Sequence, residues 1–454
     1  MEAAFGENSR RRFDDLRRPP SLARAAPWQF KHVHLRPTSI NMGGASKITN
    51  AHRKRSIVLW HAGTLNSIYR TIENPRRSIR MPSVQGRPPF RADHVGSLLR
   101  PPALRQAFRL NEEKEMSDTE FAKLQDQCIH DVVVLQEDVG LQAVTDGEFR
   151  RGSYWGRFVE RTEGFSIKPA SFKFRNDAGH EVKFTAPYAK AKIRRLQPLA
   201  LDEFAFLHTV TKVTGKITLP APSTMHFYRC NDFADRAVYP DDDEFFADLS
   251  KVFQQEIGEL AKAGCRYVQL DEVAVALLCD PVIRDQVKES GSDPDLLVDL
   301  YVNAINRAVA GCPPDLTIGV HMCRGNFKGH YLGAGGYESV AERFFANTKV
   351  NHFLLEYDTA RAGDFAPLRF VPESKGVVLG LVSTKTPVLE SLDSLKRRTE
   401  EAARYIDLDR LAIGPQCGFA STVAGNPISE DDERAKLALV VRAAKEIWAN
   451  SNIH

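Results

Sequence analysis

From about residue 88 the chain alternates strand-like apolar runs with amphipathic helical stretches, and it does so eight times. The strand-like runs are Arg91–Leu98, Leu141–Asp146, Lys216–Pro220, Tyr267–Asp271, Leu316–His321, His352–Glu356, Gly376–Val382 and Arg410–Gly414. Between them lie stretches such as Asp243–Ala263, where Phe246, Leu249, Val252, Phe253, Ile257 and Leu260 recur at helical spacing. Others cover Leu296–Ala310, Tyr337–Ala346 and Glu390–Tyr405, and a closing helix, Glu430–Ala449, starts behind Ser429 as N-cap. Strand-then-helix units demand a parallel sheet, and eight of them close as an α/β (β/α)8 TIM-type barrel. The connection from 151 to 215 is too long for a simple strand-to-helix loop, so it reads as an inserted hairpin or cap after the second strand.

Residues 1–85 do not share this pattern. They are rich in Arg, Pro and Ser, and their one short apolar run, Ile57-Val58-Leu59-Trp60, is too isolated to build a core. Residues 1–80 hold 16 Lys+Arg against 5 Asp+Glu, leaving 46 against 53 for the remainder, so the basic excess belongs to this segment. It reads as a disordered basic leader, with 86–454 as the catalytic barrel. The leader has no aromatic-basic repeats, so nucleic-acid binding is not expected. Its early acids, Glu2, Glu7, Asp14 and Asp15, argue against a mitochondrial transit peptide. No run approaches the roughly 18 consecutive apolar residues of a membrane span. Seven widely spaced cysteines without a CxxC pair suit free thiols in the cytoplasm. Nothing in the sequence sets an oligomeric state.

Chemically capable residues stand at the C-terminal ends of nearly all eight runs, the face on which barrel enzymes assemble their sites. They include His94-Val95-Gly96-Ser97, Asp146-Gly147-Glu148, Asp271-Glu272, His321 with Cys323, Glu356, Ser383-Thr384-Lys385 and Cys417. His321 and Cys323 are spaced to point to one side of a strand. With Glu356 and Cys417 they make a tetrahedral Zn2+ set of one imidazole, two thiolates and one carboxylate. Such an electron-rich ion polarises carbonyls poorly but holds a thiol as thiolate, which favours sulfur alkylation over hydrolysis. The ordinary alternatives are a strand-end acid pairing Glu356 with Arg361 and a merely buried Cys417. Asp146, Glu148, Asp271 and Glu272 could grip an ammonium group or equally pair with Arg150, Arg151 or Arg157. Backbone N–H groups at Gly96-Ser97 could receive a carboxylate, and a tight turn explains the glycine as well. Gly333-Ala334-Gly335-Gly336 lacks the Gly-Lys-Ser/Thr of a phosphate loop and reads as a flexible connection.

On His321-Met322-Cys323, Glu356 and Gln416-Cys417-Gly418, residues 88–450 resemble the C-terminal catalytic barrel of cobalamin-independent methionine synthase, and more closely its short single-barrel relatives. The resemblance implies that His321, Cys323, Glu356 and Cys417 are zinc ligands and that Val95, Gly96, Ser97, Glu148 and Asp271 hold homocysteine. It implies methyl transfer from 5-methyltetrahydrofolate to the homocysteine thiolate, giving methionine, with small molecules as the only partners. The departures fall on the donor side. Leu277 stands where the family has an acid, Tyr228 is the candidate for the aromatic that stacks on the pterin, and Lys385 occupies the place of the proton-donating histidine. The folate-contacting Arg-Cys pair has no clear counterpart in 151–215, and the family's duplicate N-terminal barrel has none in the leader. Competing readings are a decarboxylase of the same barrel type, a methyltransferase using a sulfonium or methylcorrinoid donor or another thiol, and a non-catalytic zinc barrel.

Overall fold

The computed structural model describes residues 86–176 and 178–449; the expected leader, 1–85, lies outside the described residues. The strands, in chain order, are β1 (Ala143–Val144), β2 (Thr162–Arg175), β3 (Glu181–Arg195), β4 (Thr214–Pro220), β5 (Tyr267–Glu272), β6 (Thr317–Met322), β7 (His352–Glu356), β8 (Gly376–Val382) and β9 (Leu411–Pro415). Seven form one parallel sheet in the order β1-β4-β5-β6-β7-β8-β9, while β2 and β3 pair with each other as an antiparallel hairpin. Every residue of β5, β7, β8 and β9 is buried. That burial is the signature of a parallel sheet covered on both faces.

The first expected strand, Arg91–Leu98, is not a regular strand. It lies between the two edges of the sheet, joined to β9 by the parallel bridge Ala92–Ile413 and beyond β1 by the Leu98 N–H donating to the Gly147 carbonyl at 3.1 Å. Its carbonyls are taken by side chains rather than by a ladder. Gln269 donates to the Val95 carbonyl at 2.6 Å, Thr145 to that of Gly96 at 2.6 Å, and Lys216 to that of His94. The second run shrinks to Ala143–Val144 for a similar reason: the Gln136 amide side chain takes both the N–H and the carbonyl of Thr145, each at 2.9 Å. The result is an α/β fold with a curled parallel sheet, consistent with a TIM-type barrel.

The helices follow the sequence periodicity to within a few residues, as Asp242–Lys262 shows. Asp241 caps its start by accepting from the Glu244 N–H, three acids fill its first turn against the helix dipole, and Phe245, Phe246, Leu249, Val252, Phe253, Ile257 and Leu260 are buried. Burying each of these side chains contributes about 1.5–3 kcal/mol. The last helix, Glu430–Ile447, carries a capping box between Ser429 and Asp432.

The long connection folds as the expected hairpin. Arg175 near its tip exchanges backbone hydrogen bonds with Tyr331, at 2.7 and 2.8 Å, and pairs with Asp280 at 2.6 Å. Phe172 stacks on Phe227 and Phe174 packs on Phe327. These partners lie in the loops after β4, β5 and β6, so the hairpin covers the C-terminal ends of the strands. The Gly-rich connection is anchored there too: the Arg324 guanidinium holds the Gly335 carbonyl, and the Ala334 N–H donates to Asp280 at 2.8 Å.

Candidate metal and substrate site

His321 is the penultimate residue of β6, in register with Asp271 of β5, and Cys323 follows the strand directly. Cys417 reaches the same place from β9 through a register shift between Gly380 and Val382 of β8. Only glycine permits that shift, because a Cβ at Gly380 would sit 2.6 Å from both the Leu355 carbonyl oxygen and the Gln416 Cα. The outcome is a buried trio: the ligand atoms of His321, Cys323 and Cys417 all lie within 4.8 Å of one another. The Cys323 and Cys417 sulfurs share a 3.1 Å hydrogen bond and no disulfide.

His321 Nδ1 stands 3.2 Å from the Leu354 carbonyl, which can only accept, so Nδ1 carries the hydrogen. Nε2 is buried and faces Cys417, which raises the His321 pKa against the pull of burial. The shared bond between the sulfurs pulls the two thiols apart in acidity. Cys417, accepting from Cys323 and facing His321, is held well below the usual thiol range, and Cys323, the donor, well above it.

Glu356, the last residue of β7, is fully buried, and both of its carboxylate oxygens lack a hydrogen-bond partner. Burial pushes its pKa up, against the opposing charge of Lys385. It lies outside the trio held within 4.8 Å, although its charge acts on His321 and Cys323. It does not pair with Arg361, whose neighbour is Asp358 at 3.8 Å; its own nearest cation is Arg324, 3.7 Å away. Unsatisfied buried polar atoms are costly, and both oxygens of the Glu356 carboxylate are of that kind beside the two sulfurs and the imidazole. That donor set fits zinc.

Beside the trio stand two carboxylates. Asp271 accepts from Gln269 at 2.8 Å and is pushed up to about 7, first by burial and then by Glu148, with His321 opposing. Glu148 is aimed by the turn Asp146-Gly147-Glu148, in which Gly147 and Glu148 both have positive φ, 68° and 61°. For a glutamate that backbone is strained by about 1 kcal/mol or more. Thr218 donates to its Oε1 at 2.7 Å while Oε2 has no partner. The sequence left open whether these acids serve the neighbouring arginines. Arg151 does lie 3.5 Å from Glu148, but its main partner is Glu203 at 2.6 Å; Arg150 pairs with Asp126 and Arg157 with Asp202 and Glu203. Val95, Gly96 and Ser97 run past on the closing segment, and the Ser97 carbonyl accepts from the Phe419 N–H, two residues beyond Cys417, at 2.8 Å.

Lys385 sits on a loop fixed by Thr384, which bonds to Gln416, Gly418 and Asn426. Its Nζ donates to Asn326 Oδ1 at 3.1 Å, and its charge acts on Cys323, Cys417 and Glu356. Tyr228 is buried and shares a 2.9 Å hydroxyl–hydroxyl bond with the half-buried Tyr154. Sequence reasoning missed Tyr154, Thr218, Arg324 and Tyr337. The adjacency of Arg324 to Cys323 was the one signal on offer; the others reach the site through tertiary packing.

Residues 90–446 match the family described as Cobalamin-independent synthase, Catalytic domain. The chain belongs to that family. It is 38% identical over 368 residues to the uncharacterized protein YxjH of Bacillus subtilis, covering 80% of this chain and 96% of that one. It is 28% identical over 328 residues to a methionine synthase of Pyrococcus abyssi, covering 72% and 85%. A putative vitamin-B12 independent methionine synthase from Listeria monocytogenes superposes with a TM-score of 0.62 at 30% identity, over 79% of this chain and 98% of that one. As a member, this chain is an enzyme of the cobalamin-independent methionine synthase type. Among its described residues no helix is long and apolar enough to cross a membrane.

Proposed function

We propose that this chain is a zinc-dependent S-methyltransferase that moves a methyl group from 5-methyltetrahydrofolate, in its polyglutamate form, to the sulfur of homocysteine, giving methionine. The observation that carries the reading is the buried trio His321, Cys323 and Cys417, with both oxygens of the buried Glu356 unclaimed. Zinc bound there would supply the charge that keeps an incoming thiol deprotonated at neutral pH. The remaining work falls to the chain's own residues. Glu148 and Asp271 would hold the substrate ammonium group, and because Asp271 sits at about 7, the arriving cation would complete its ionisation. The backbone at Val95, Gly96 and Ser97 would receive the carboxylate, Tyr228 would offer its ring to the pterin, and Lys385 would donate the proton that the folate nitrogen needs in order to leave.

A different donor, a sulfonium or a methylcorrinoid, is favoured by one observation: the residue in the acid's place is a lysine already bonded to Asn326 and Gly325. Such donors need no acid. A decarboxylase would leave the trio without a task. The free state of all seven cysteines, two of them with touching sulfurs, supports a reducing, cytoplasmic setting. The test is metal analysis, homocysteine titration and methionine formation on wild type and Cys417→Ser. The variant should lose most of its zinc together with thiol transfer; full zinc content would sink the assignment.

A further inference from the structure

The side chain of Arg324 has a charge and a geometry that the reading above does not use. It is fully buried one residue after Cys323. Its Nε and Nη2 are fixed on the Gly335 carbonyl at 3.0 and 2.8 Å, and its Nη1 donates to the Tyr337 hydroxyl at 2.9 Å. The guanidinium also lies 4.1 Å over the Tyr337 ring. The Tyr337 oxygen in turn accepts from the Glu356 N–H at 2.9 Å, and Arg324 Nη1 reaches the Glu356 carbonyl at 3.3 Å. Arg324 and Tyr337 therefore grip the backbone of Glu356 while leaving its carboxylate unbound, 3.7 Å from Nη1 and without a hydrogen bond on either oxygen. A carboxylate placed this way has two seats. One is among His321, Cys323 and Cys417; the other is the guanidinium, reached by turning the side chain by about 1 Å, the difference from an ordinary charge-assisted bond.

We propose that Arg324, held in place by Tyr337, is the positioning residue that receives the Glu356 carboxylate when a substrate thiol takes its place beside the trio. The inference rests on the zinc reading above and deepens it. The exchange balances: the thiol gives up its proton to solvent and contributes a thiolate, Glu356 leaves as a carboxylate, and its charge is met by the guanidinium instead of being stranded in the interior. Without that second seat, Glu356 would have to remain in place or leave as a buried anion with no ion-pair partner and only the field of Lys385 to offset it, and thiol entry would be opposed.

The experiment uses full-length protein loaded with Co2+, whose sulfur-to-metal absorption reports the number of thiolates bound, titrated with homocysteine and without any methyl donor. Wild type should gain one sulfur ligand. Arg324→Met should keep its metal but bind homocysteine at least about tenfold more weakly, the loss expected for one charge-assisted bond. Arg324→Lys should recover part of that affinity. In a Glu356→Gln background, where no anion has to be received, Arg324→Met should change thiol affinity little, giving a non-additive cycle. Equal homocysteine affinity in Arg324→Met and wild type, or additive losses in the cycle, would overturn the proposal. If Arg324→Met does not fold, Tyr337→Phe, which removes the hydroxyl that fixes Nη1, replaces it, and unchanged thiol affinity there counts against the proposal equally. Failure of the wild type to take up Co2+ or Zn2+ would instead overturn the metal reading itself.

Discussion

Replacing Arg151 with Met tests whether the buried ion network behind the site holds the fold and aims Glu148. Arg151 is buried, donates to Glu203 Oε2 at 2.6 Å and Oε1 at 3.2 Å, and reaches the side chain and carbonyl of Thr218, each at 2.9 Å. Thr218 then passes its own hydrogen to Glu148. Burial pushes the pKa of Glu203 up, but Arg151 and Arg157 more than reverse it and hold it below the ordinary 4.5. The pair therefore stabilises the fold above pH 4.5, and that contribution fades as pH falls through the lower folded value. Breaking a buried pair from one side costs about 3–5 kcal/mol, or roughly 4–7 °C in Tm for a domain of this size. The penalty assignable to Glu203 has a ceiling, because the group can take up a proton instead. At pH 7 that costs roughly 3 kcal/mol from a starting value of 4.5, and at pH 5 less than about 1 kcal/mol. Arg151→Met should thus be much less destabilising at pH 5 than at pH 7.5 in urea unfolding, and at neutral pH it should raise the KM for the amino thiol through the loosened Thr218–Glu148 contact. A loss below about 1 kcal/mol, or one equal at both pH values, would refute this account of the network.

Glu433 is pushed up to about 8 by burial, with the Leu99 N–H opposing at 2.8 Å. Its folded value lies above the unfolded one, so its contribution is fully present below about pH 4.5 and is lost as pH rises through about 8. Wild type should lose on the order of a few kcal/mol across that window that Glu433→Gln keeps, measured by unfolding at several pH values. Gly380→Ala drives a Cβ into the Leu355 carbonyl and Gln416, and should displace Cys417, lowering zinc content and Tm together. Lys385→Met should abolish methyl transfer from methyltetrahydrofolate while leaving zinc content and homocysteine binding intact, and should spare transfer from a sulfonium. An unchanged folate-dependent rate would dispose of the acid role.

The repeating unit was legible because burial on both faces imposes continuous apolar strands, and a covering helix imposes 3.6-residue periodicity. Six of the eight runs therefore fall on strands within a few residues. Leu141–Asp146 keeps only the short strand Ala143–Val144 and Arg91–Leu98 forms no regular strand, because their backbone groups are taken by Gln269, Thr145, Lys216 and Gln136, side chains up to 174 positions away, and no local pattern encodes that. His321 and Cys323 were legible by their spacing and Cys417 by its place at a strand end, and these three come together; Glu356, also at a strand end, lies outside their cluster. Arg324 drew no reading, because what fixes its guanidinium is Tyr337 and Gly335, which a loop brings back to it.

The same logic accounts for the floor beneath the site, where apolar filling would be expected of a barrel interior. Lys216 and Asp93, both fully buried, pair at 2.8 Å; Tyr267 donates to Asp93 at 2.5 Å and meets His352 at 2.7 Å. Lys216 also reaches Gln269 Oε1 at 3.2 Å, which orients the amide so that its Nε2 donates at once to the Val95 carbonyl and to Asp271. A hydrophobic floor could fill the space but could not fix the rotation of that amide. The polar layer ties the closing segment, which lacks a strand ladder, to the carboxylate beside His321. Two expected substrate-binding positions far apart in the sequence, Val95 and Asp271, are thereby held by one side chain.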